Sequence, residues 1–93
     1  MQYNITLSFE AEEDISCAYQ WYEQQRLGLG ADFTSALDNA FSSIQSGPEV
    51  YGFRRKNIRG CMLKRFPYLI LFIVEDVNVR IISVFHMHRK PTH

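Results

Sequence analysis

The alternation of apolar and polar positions divides the later part of the chain into three strands. Seven consecutive residues between Tyr68 and Val74 are apolar, whereas the segments on either side, 58–65 and 79–86, alternate. Side chains two residues apart on a strand share a face, so the outer segments are typical of half-exposed strands. A strand that is apolar on both faces needs cover on both. The pattern predicts an antiparallel meander with residues 68–74 in its centre.

A short strand and a first helix are predicted before this meander. Tyr3, Ile5 and Leu7 lie on one side of an extended segment over residues 2–8. Ser8 follows at a typical N-cap position, and carboxylates crowd the next turns, where they face the positive end of the helix dipole. Apolar residues then recur at spacings of three and four, which predicts a helix over residues 9–26.

A second helix is predicted over residues 31–45. Two glycines, Gly28 and Gly30, separate it from the first helix, and Gly47-Pro48 ends it. So short a link predicts an antiparallel helical hairpin with one apolar face on the sheet. Residues 50–57 are interpreted as a basic connecting loop. The expected fold is therefore α+β with the order β-α-α-β-β-β, in which a helical hairpin packs on one face of a small, mainly antiparallel sheet. Whether the first strand lies beside the second or the fourth stays open.

Composition favours one domain that spans residues 1–93. The hydrophobic fraction is 46%, which is enough for a core without disulfides. No apolar run is long enough to cross a membrane, and the first residues lack the pattern of a secretion signal, so we expect a cytoplasmic protein. Cys17 and Cys61 are isolated, and both are interpreted as small buried residues in a reducing compartment.

The net charge of zero conceals a division between the two halves. Residues 1–53 contain one cation and eight anions, whereas residues 54–93 contain nine cations and two anions. Such asymmetry indicates a polyanionic or acidic partner for the basic half. Mutual attraction and solubility of the two halves explain the charges equally well.

Several short motifs occur together in one order along nearly the whole chain. They are WYE at residues 21–23, GLG at 28–30, L-x-R-F-P-Y at 63–68 and V-x-H-x-x-R at 84–89, followed by proline. In this combination the chain resembles the ParE branch of the RelE/ParE toxins of bacterial toxin–antitoxin pairs. The resemblance implies a small toxin held inactive by a cognate antitoxin. RelE-like members cleave mRNA in the ribosomal A site, and ParE-like members poison DNA gyrase.

The nuclease residues of RelE-like toxins are only partly present. The resemblance places an arginine after the aromatic residue of the central strand, where this chain has Leu69, and a tyrosine near the C-terminus, which this chain lacks. We therefore expect a toxin that binds DNA gyrase without chemistry and without a cofactor. The alternative is a ribosome-dependent mRNA endonuclease that uses Lys64, His86 and Arg89, since RNA cleavage needs an acid, a base and cations. A third possibility is an inactive toxin fold that only binds its partner.

Two sets of residues are candidates for macromolecular contacts. The candidate target-binding residues are Arg59, Lys64, Arg65, His86, His88 and Arg89, and the candidate antitoxin-binding residues are Tyr19, Trp21 and Phe33. The aromatic residues are equally well explained as core. A metal site is not expected, because His86 and His88 supply two ligands and zinc sites use at least three protein ligands. Gly28 and Gly30 lie between helices, which indicates a turn rather than a phosphate-binding loop.

Overall fold

In the computed structural model, which describes residues 2–88, two helices pack on one face of a five-stranded sheet. The elements are β1 (Asn4–Leu7), α1 (Phe9–Gln25), α2 (Leu29–Ser46), a short 3₁₀ helix (Pro48–Val50), β2 (Phe53–Arg55), β3 (Ile58–Met62), β4 (Tyr68–Glu75) and β5 (Asn78–His86). The expected α+β class and the helical hairpin on one face of the sheet are confirmed.

The sheet is mixed, with the strand order β1-β5-β4-β3-β2. β1 runs parallel to β5, and every other neighbouring pair is antiparallel. The first strand therefore lies beside the last one, which decides the question that the sequence left open. The meander β3-β4-β5 is present as predicted, with β4 in the centre.

β2 is a strand that the sequence pattern does not predict. All three of its residues are exposed, and it pairs with β3 through Phe53 and Arg59. A tight turn at Lys56, whose φ is 48°, folds it back onto β3. Its strand conformation thus comes from pairing rather than from hydrophobic alternation. β3 is shorter than the predicted 58–65, because the chain turns at Arg65, whose φ is 73°.

Side chains cap the N-termini of both helices. The Ser8 hydroxyl accepts a hydrogen bond from the backbone N–H of Ala11 at 3.0 Å, as its N-cap position predicts. α2 begins two residues earlier than expected. The Glu23 carboxylate accepts from the N–H of Gly28 at 3.0 Å and of Gly30 at 2.9 Å, so α1 caps the start of α2. Gly28 has a φ of 91°, which only glycine adopts freely.

An aromatic cluster joins the helical hairpin to the sheet. Tyr22 of α1, Phe33 of α2, Phe66 of the β3–β4 turn and Tyr68 of β4 are buried. Neighbouring ring centroids lie 5.0 Å apart for Tyr22 and Phe66 and 5.2 Å apart for Phe33 and Tyr68. Such tilted and edge-on contacts stabilise aromatic pairs beyond the area they bury. The cluster fixes the turn as well as the helices, because Phe66 belongs to it.

In the described part of the chain, helices lie on one face of the sheet only. Both helices pack with Tyr68, Ile70 and Phe72, while Leu69, Leu71 and Ile73 point to the other face, which has no helix on it within residues 2–88. The expectation that β4 is covered by elements on both faces is therefore wrong for the described part of the chain. Leu69 is nevertheless buried, because neighbouring strands contribute side chains to its face.

A carboxylate on α1 binds the outer edge of β5 where β1 ends. Leu71 faces Ser83 and Phe72 faces Ile81, so β5 contains an extra residue, a β-bulge. Asp14 Oδ2 accepts from the backbone N–H of Val84 at 3.0 Å and from the Ser83 hydroxyl at 3.2 Å. This contact satisfies a strand-edge donor that β1 is too short to reach, and it locks α1 across the sheet.

Substitution of Gly30 by alanine tests how closely the hairpin packs. A Cβ at this position would lie 2.8 Å from Glu23 Oε1 and from a ring carbon of Tyr19. We expect Gly30→Ala to lower the free energy of unfolding in urea by about 1–3 kcal/mol, as overpacking does. The matched control is Gly52→Ala, whose Cβ would meet nothing within 4 Å. Equal stability of the two variants would contradict this account of the hairpin.

Candidate functional site

The β3–β4 turn and the end of β5 bring four predicted site residues to one end of the sheet. Lys64 and Arg65 lie in the turn, and His86 pairs with Tyr68 across β4 and β5. The rings of Tyr68 and His86 meet edge-on with centroids 4.9 Å apart. His88 follows immediately, exposed, with its ring centroid 6.1 Å from that of His86. We call this region the basic end.

The turn presents its cations outward because its aromatic residue points inward. Phe66 is buried in the aromatic cluster, while Lys64 and Arg65 on the same turn are exposed. The Arg65 guanidinium lies 3.9 Å from the Asp32 carboxylate, which is also 3.7 Å from Arg26. Exposed ion pairs of this kind contribute only about 0–1 kcal/mol. Lys64 and Arg65 are therefore both available to a charged partner.

The backbone of His88 donates a hydrogen bond to the side chain of His86. The N–H of His88 donates to Nδ1 of His86 at 3.0 Å. An accepting Nδ1 puts the proton of the neutral imidazole on Nε2, so the ring has no free basic nitrogen while this bond is kept. The predicted site residue Arg89 lies outside the described residues.

Arg59 lies apart from the basic end. Its guanidinium donates to the carbonyl oxygen of Tyr51 at 2.7 Å and of Glu49 at 3.3 Å, and it stacks 4.0 Å above the centre of the Phe53 ring. These contacts hold the connection between α2 and β2 against β3. The structure therefore shows structural contacts for Arg59, whereas its role in target binding stays a prediction.

A groove of about 450 Å³ runs between α2 and the outer edge of β3 and reaches the basic end. Its lining is mostly small or polar. The residues are Asp32, Ser35, Ala36, Asn39, Ala40, Ser43, Tyr51, Cys61, Met62, Lys64 and Arg65. The volume lies within the range of ordinary ligand-binding pockets.

The floor of the groove contains a protonated thiol. Burial raises the pKa of Cys61, and a hydrogen bond with the Tyr51 hydroxyl only partly offsets it. Burial likewise raises the pKa of Tyr51. Cys61 is buried as expected, but Cys17 is exposed on α1, so the prediction that both cysteines are buried is wrong for Cys17. Cys17 directly precedes Ala18 of the apolar stripe but lies on a different side of the helix, where it faces solvent.

The three predicted antitoxin-binding aromatics separate in the structure. Tyr19 and Trp21 are 39% and 42% exposed, and both can contact a partner. The ring of Tyr19 packs over the start of α2 at Gly30, and Trp21 meets Tyr22 edge-on with centroids 5.1 Å apart. Phe33 is fully buried beneath the hairpin and is part of the core, so its side chain is not at the surface with the other two.

Sequence reasoning did not identify the wall that α2 contributes to the groove. Asp32, Ala36, Asn39 and Ser43 follow one another at spacings of three and four, which places them on one helical face. That stripe of small and polar residues was the available signal. These residues have no apolar periodicity, so the hydrophobic pattern of the sequence does not reveal them.

The sequence profile described as "ParE toxin of type II toxin-antitoxin system, parDE" matches residues 5–91. The chain belongs to this ParE toxin family. No curated protein sequence matches the chain.

Solved toxin–antitoxin structures share the fold of this ParE-family chain. The chromosomal ParDE system of P. aeruginosa aligns with a TM-score of 0.82 at 13% identity, over 94% of this chain and 98% of the other. The E. coli RelBE complex aligns at 0.69 and 20% identity, over 94% and 99%. The isolated E. coli RelE toxin aligns at 0.70 and 19% identity, over 95% and 87%. Within residues 2–88, no helix has both the length and the apolar character needed to cross a membrane.

The two cysteines of this ParE-family toxin should differ sharply in reactivity. At about pH 8, a disulfide reagent should modify Cys17 at once, whereas Cys61 should react only after denaturation, because its thiol is buried and its pKa is raised. The Cys17→Ser variant should show the slow reaction alone. Two rapidly reacting thiols in the folded protein would contradict the buried placement of Cys61.

Proposed function

We propose that this chain is a toxin that inhibits DNA gyrase by binding and is neutralised by a cognate antitoxin. The observation that carries the proposal is the match of the ParE toxin profile to residues 5–91. Gyrase is the target that membership of the ParE branch implies, and the similar ParDE and RelBE toxin–antitoxin structures suggest an antitoxin as the partner. The basic end supplies exposed cations for a macromolecular contact.

Binding rather than chemistry is supported by the geometry of the basic end. His86 accepts a hydrogen bond at Nδ1, which removes the nitrogen that a general base needs. Leu69 stands where RelE-like nucleases carry an arginine, and its side chain is buried among apolar neighbours. Lys64 and Arg65 are exposed on a turn, an arrangement that suits docking to a charged surface.

An mRNA endonuclease is the second candidate, because one observation favours it. Lys64 and His86 lie at the same end of the sheet, as a cation and an acid of an RNA-cleaving site must. The RelE structures share the fold. Under this alternative, His86 acts as the acid in its imidazolium form, which requires release of the His88 N–H from Nδ1, and a cation of the turn neutralises phosphate.

The exposed rings of Tyr19 and Trp21 on α1 are the proposed antitoxin contacts. Amphipathic aromatic side chains at the surface are enriched in protein interfaces. α1 is also strongly acidic at its start, where Glu10 and Glu12 lie in the first turn. The antitoxin surface that covers this helix is therefore expected to combine apolar groups with basic ones.

Purified toxin should inhibit the supercoiling of relaxed plasmid by gyrase, and added antitoxin should relieve the inhibition. Induction in cells should cause a DNA-damage response while translated messages stay intact. His86→Ala should leave this inhibition largely unchanged. Cleavage within translated messages that His86→Ala abolishes would instead establish the nuclease, and normal growth on induction without antitoxin would contradict both.

Charge removal at the basic end tests where the target binds. We expect the double variant Lys64→Ala/Arg65→Ala to require about tenfold more toxin for half-inhibition of supercoiling, because exposed complementary charges speed association. The matched control is Arg55→Ala/Lys56→Ala at the opposite end of β3, which also removes two exposed cations, one of them at a positive φ. Equal losses in both double variants would show that net charge alone matters.

A further inference from the structure

The sheet face opposite the helices is an apolar surface with no helix over it in the described part of the chain. Residues paired across neighbouring strands share one side of a sheet, so the pairs of β3, β4 and β5 identify its members. Met62 is 50% and Phe85 37% exposed. We call the following set the open face: Ile58, Met62, Leu69, Leu71, Ile73 and Phe85. Exposed apolar groups that lie together are typical of a docking surface.

One arginine side chain lies across the open face. Gly60 pairs with Leu71, so a Cβ at position 60 would point to this side of the sheet. It would lie 2.7 Å from both Cγ and Nε of Arg54 and 3.1 Å from Cδ1 of Leu69. Arg54 therefore occupies the space that a side chain at position 60 would fill. Gly60 is a notch in the sheet, and Arg54 rests in it beside Leu69.

The Arg54 guanidinium is held in place without a carboxylate beside it. Within residues 2–88, the salt bridges join Asp32 to Arg26 and to Arg65, and none involves Arg54. The stem of Arg54 packs over Gly60, so it has less rotamer freedom than a side chain that extends into solvent. Because this ordering precedes binding, an incoming anion orders little more of the side chain, which favours its binding.

The surroundings of Arg54 suit a protein carboxylate better than a nucleic acid. DNA is bound through several phosphates, whereas the centre of the open face presents the aliphatic side chains of Leu69, Leu71 and Ile73. Arginine, methionine and aromatic residues are enriched in protein interfaces. At Met62 the open face also continues into the β3–β4 turn of the basic end. The two surfaces therefore form one footprint of apolar groups and cations.

Charge disfavours a second copy of the toxin as the occupant. Arg80 pairs with Ile73 and so lies on the same side of the sheet as Arg54. Two open faces packed together would oppose these arginines, and Glu75, at the far end of β4, is the only carboxylate on the described strands. The complementary partner presents carboxylates among apolar groups. The rings proposed as antitoxin contacts lie on α1, in the other layer.

We propose that the open face binds the protein part of DNA gyrase and that Arg54 pairs there with a carboxylate of gyrase. This inference rests on the proposed function and deepens it, because it names the surface and the residue of recognition. The apolar side chains around the pair exclude water, and a charge-assisted hydrogen bond is stronger in such surroundings. Gly60 is a positioning residue, since it acts through Arg54.

Substitution of Arg54 by glutamine removes the charge and keeps part of the stem that packs over Gly60. We expect Arg54→Gln to bind immobilised gyrase, in the absence of DNA, about tenfold more weakly than the wild-type toxin, since an anchoring arginine carries much of the binding in an interface. The matched control is Arg55→Gln, which removes the neighbouring exposed cation of β2 and should bind within about twofold of the wild type. Equal losses in the two variants overturn the inference.

Substitution of Gly60 by alanine displaces Arg54 without removing its charge. The added Cβ would lie 2.7 Å from Arg54, so the side chain must leave its place on the open face. Gly60→Ala should weaken gyrase binding, and it should weaken it little further in the Arg54→Gln background, because both changes remove the same contact. Fully additive losses would contradict the positioning role of Gly60. Urea unfolding of each variant shows whether it is folded under the conditions of the binding assay.

Hydroxyl-radical footprinting of the wild-type complex locates the gyrase contact without any substitution. Oxidation of Met62 and Phe85 should slow when gyrase binds, because both side chains are exposed on the open face of the free toxin. Trp21 on α1 should react as it does in the free toxin. Protection of Trp21 in place of Met62 and Phe85 overturns the inference. This measurement stands even where Gly60→Ala fails to fold.

The rival occupants of the open face predict different results. If a labelled DNA duplex loses affinity for Arg54→Gln while gyrase binding is unchanged, Arg54 contacts phosphate and the proposal is overturned. Protection of Met62 and Phe85 by antitoxin but not by gyrase, or by self-association of the toxin at rising concentration, also overturns it. Failure of the wild-type toxin to bind gyrase contradicts the proposed function as well. Equal gyrase binding by Arg54→Gln and Arg55→Gln overturns this inference alone.

Discussion

The contact of Tyr22, Phe33, Phe66 and Tyr68 is the interaction on which the other features depend. Each ring comes from a different element, so the cluster joins both helices, the β3–β4 turn and the central strand in one place. Because Phe66 is buried there, the neighbouring cations of the turn are directed outward. The core and the basic end are thus consequences of the same packing, and a change that loosens the cluster would displace both.

Much of the fold follows from hydrophobic spacing. The two helical stripes predicted both α-helices, and the seven-residue apolar strand with its alternating neighbours predicted the meander, because hydrophobic period and burial agree in those segments. The 3₁₀ helix at Pro48–Val50 was not predicted. β2 and the place of β1 could not be derived in the same way. The three exposed residues of β2 have no alternating pattern, and β1 pairs with a strand more than seventy residues away. Both depend on tertiary pairing that local sequence does not encode.

The candidate site was predictable where charge and turn position coincide, and not elsewhere. Lys64, Arg65 and His86 do lie at one end of the sheet, although Lys64 and Arg65 were predicted within the strand 58–65 and lie in the turn that follows β3. Arg59 has the same charge but is used internally, since backbone carbonyls of the α2–β2 connection lie within reach of its guanidinium. Phe33 is a different case. An aromatic residue on an amphipathic helix has the same sequence pattern whether it lies in a core or in an interface, so the sequence alone does not decide between them.

The parallel pairing of β1 with β5 bears on how the chain folds during synthesis. Residues 4–7 leave the ribosome early but pair with residues 78–81. The helical hairpin, held by the local contacts of Glu23, can form well before this, since its loop closes over a few residues. The sheet cannot close until β5 has emerged. A nascent chain therefore exposes its unfinished sheet until β5 has emerged, and the complete sheet can form only after that point.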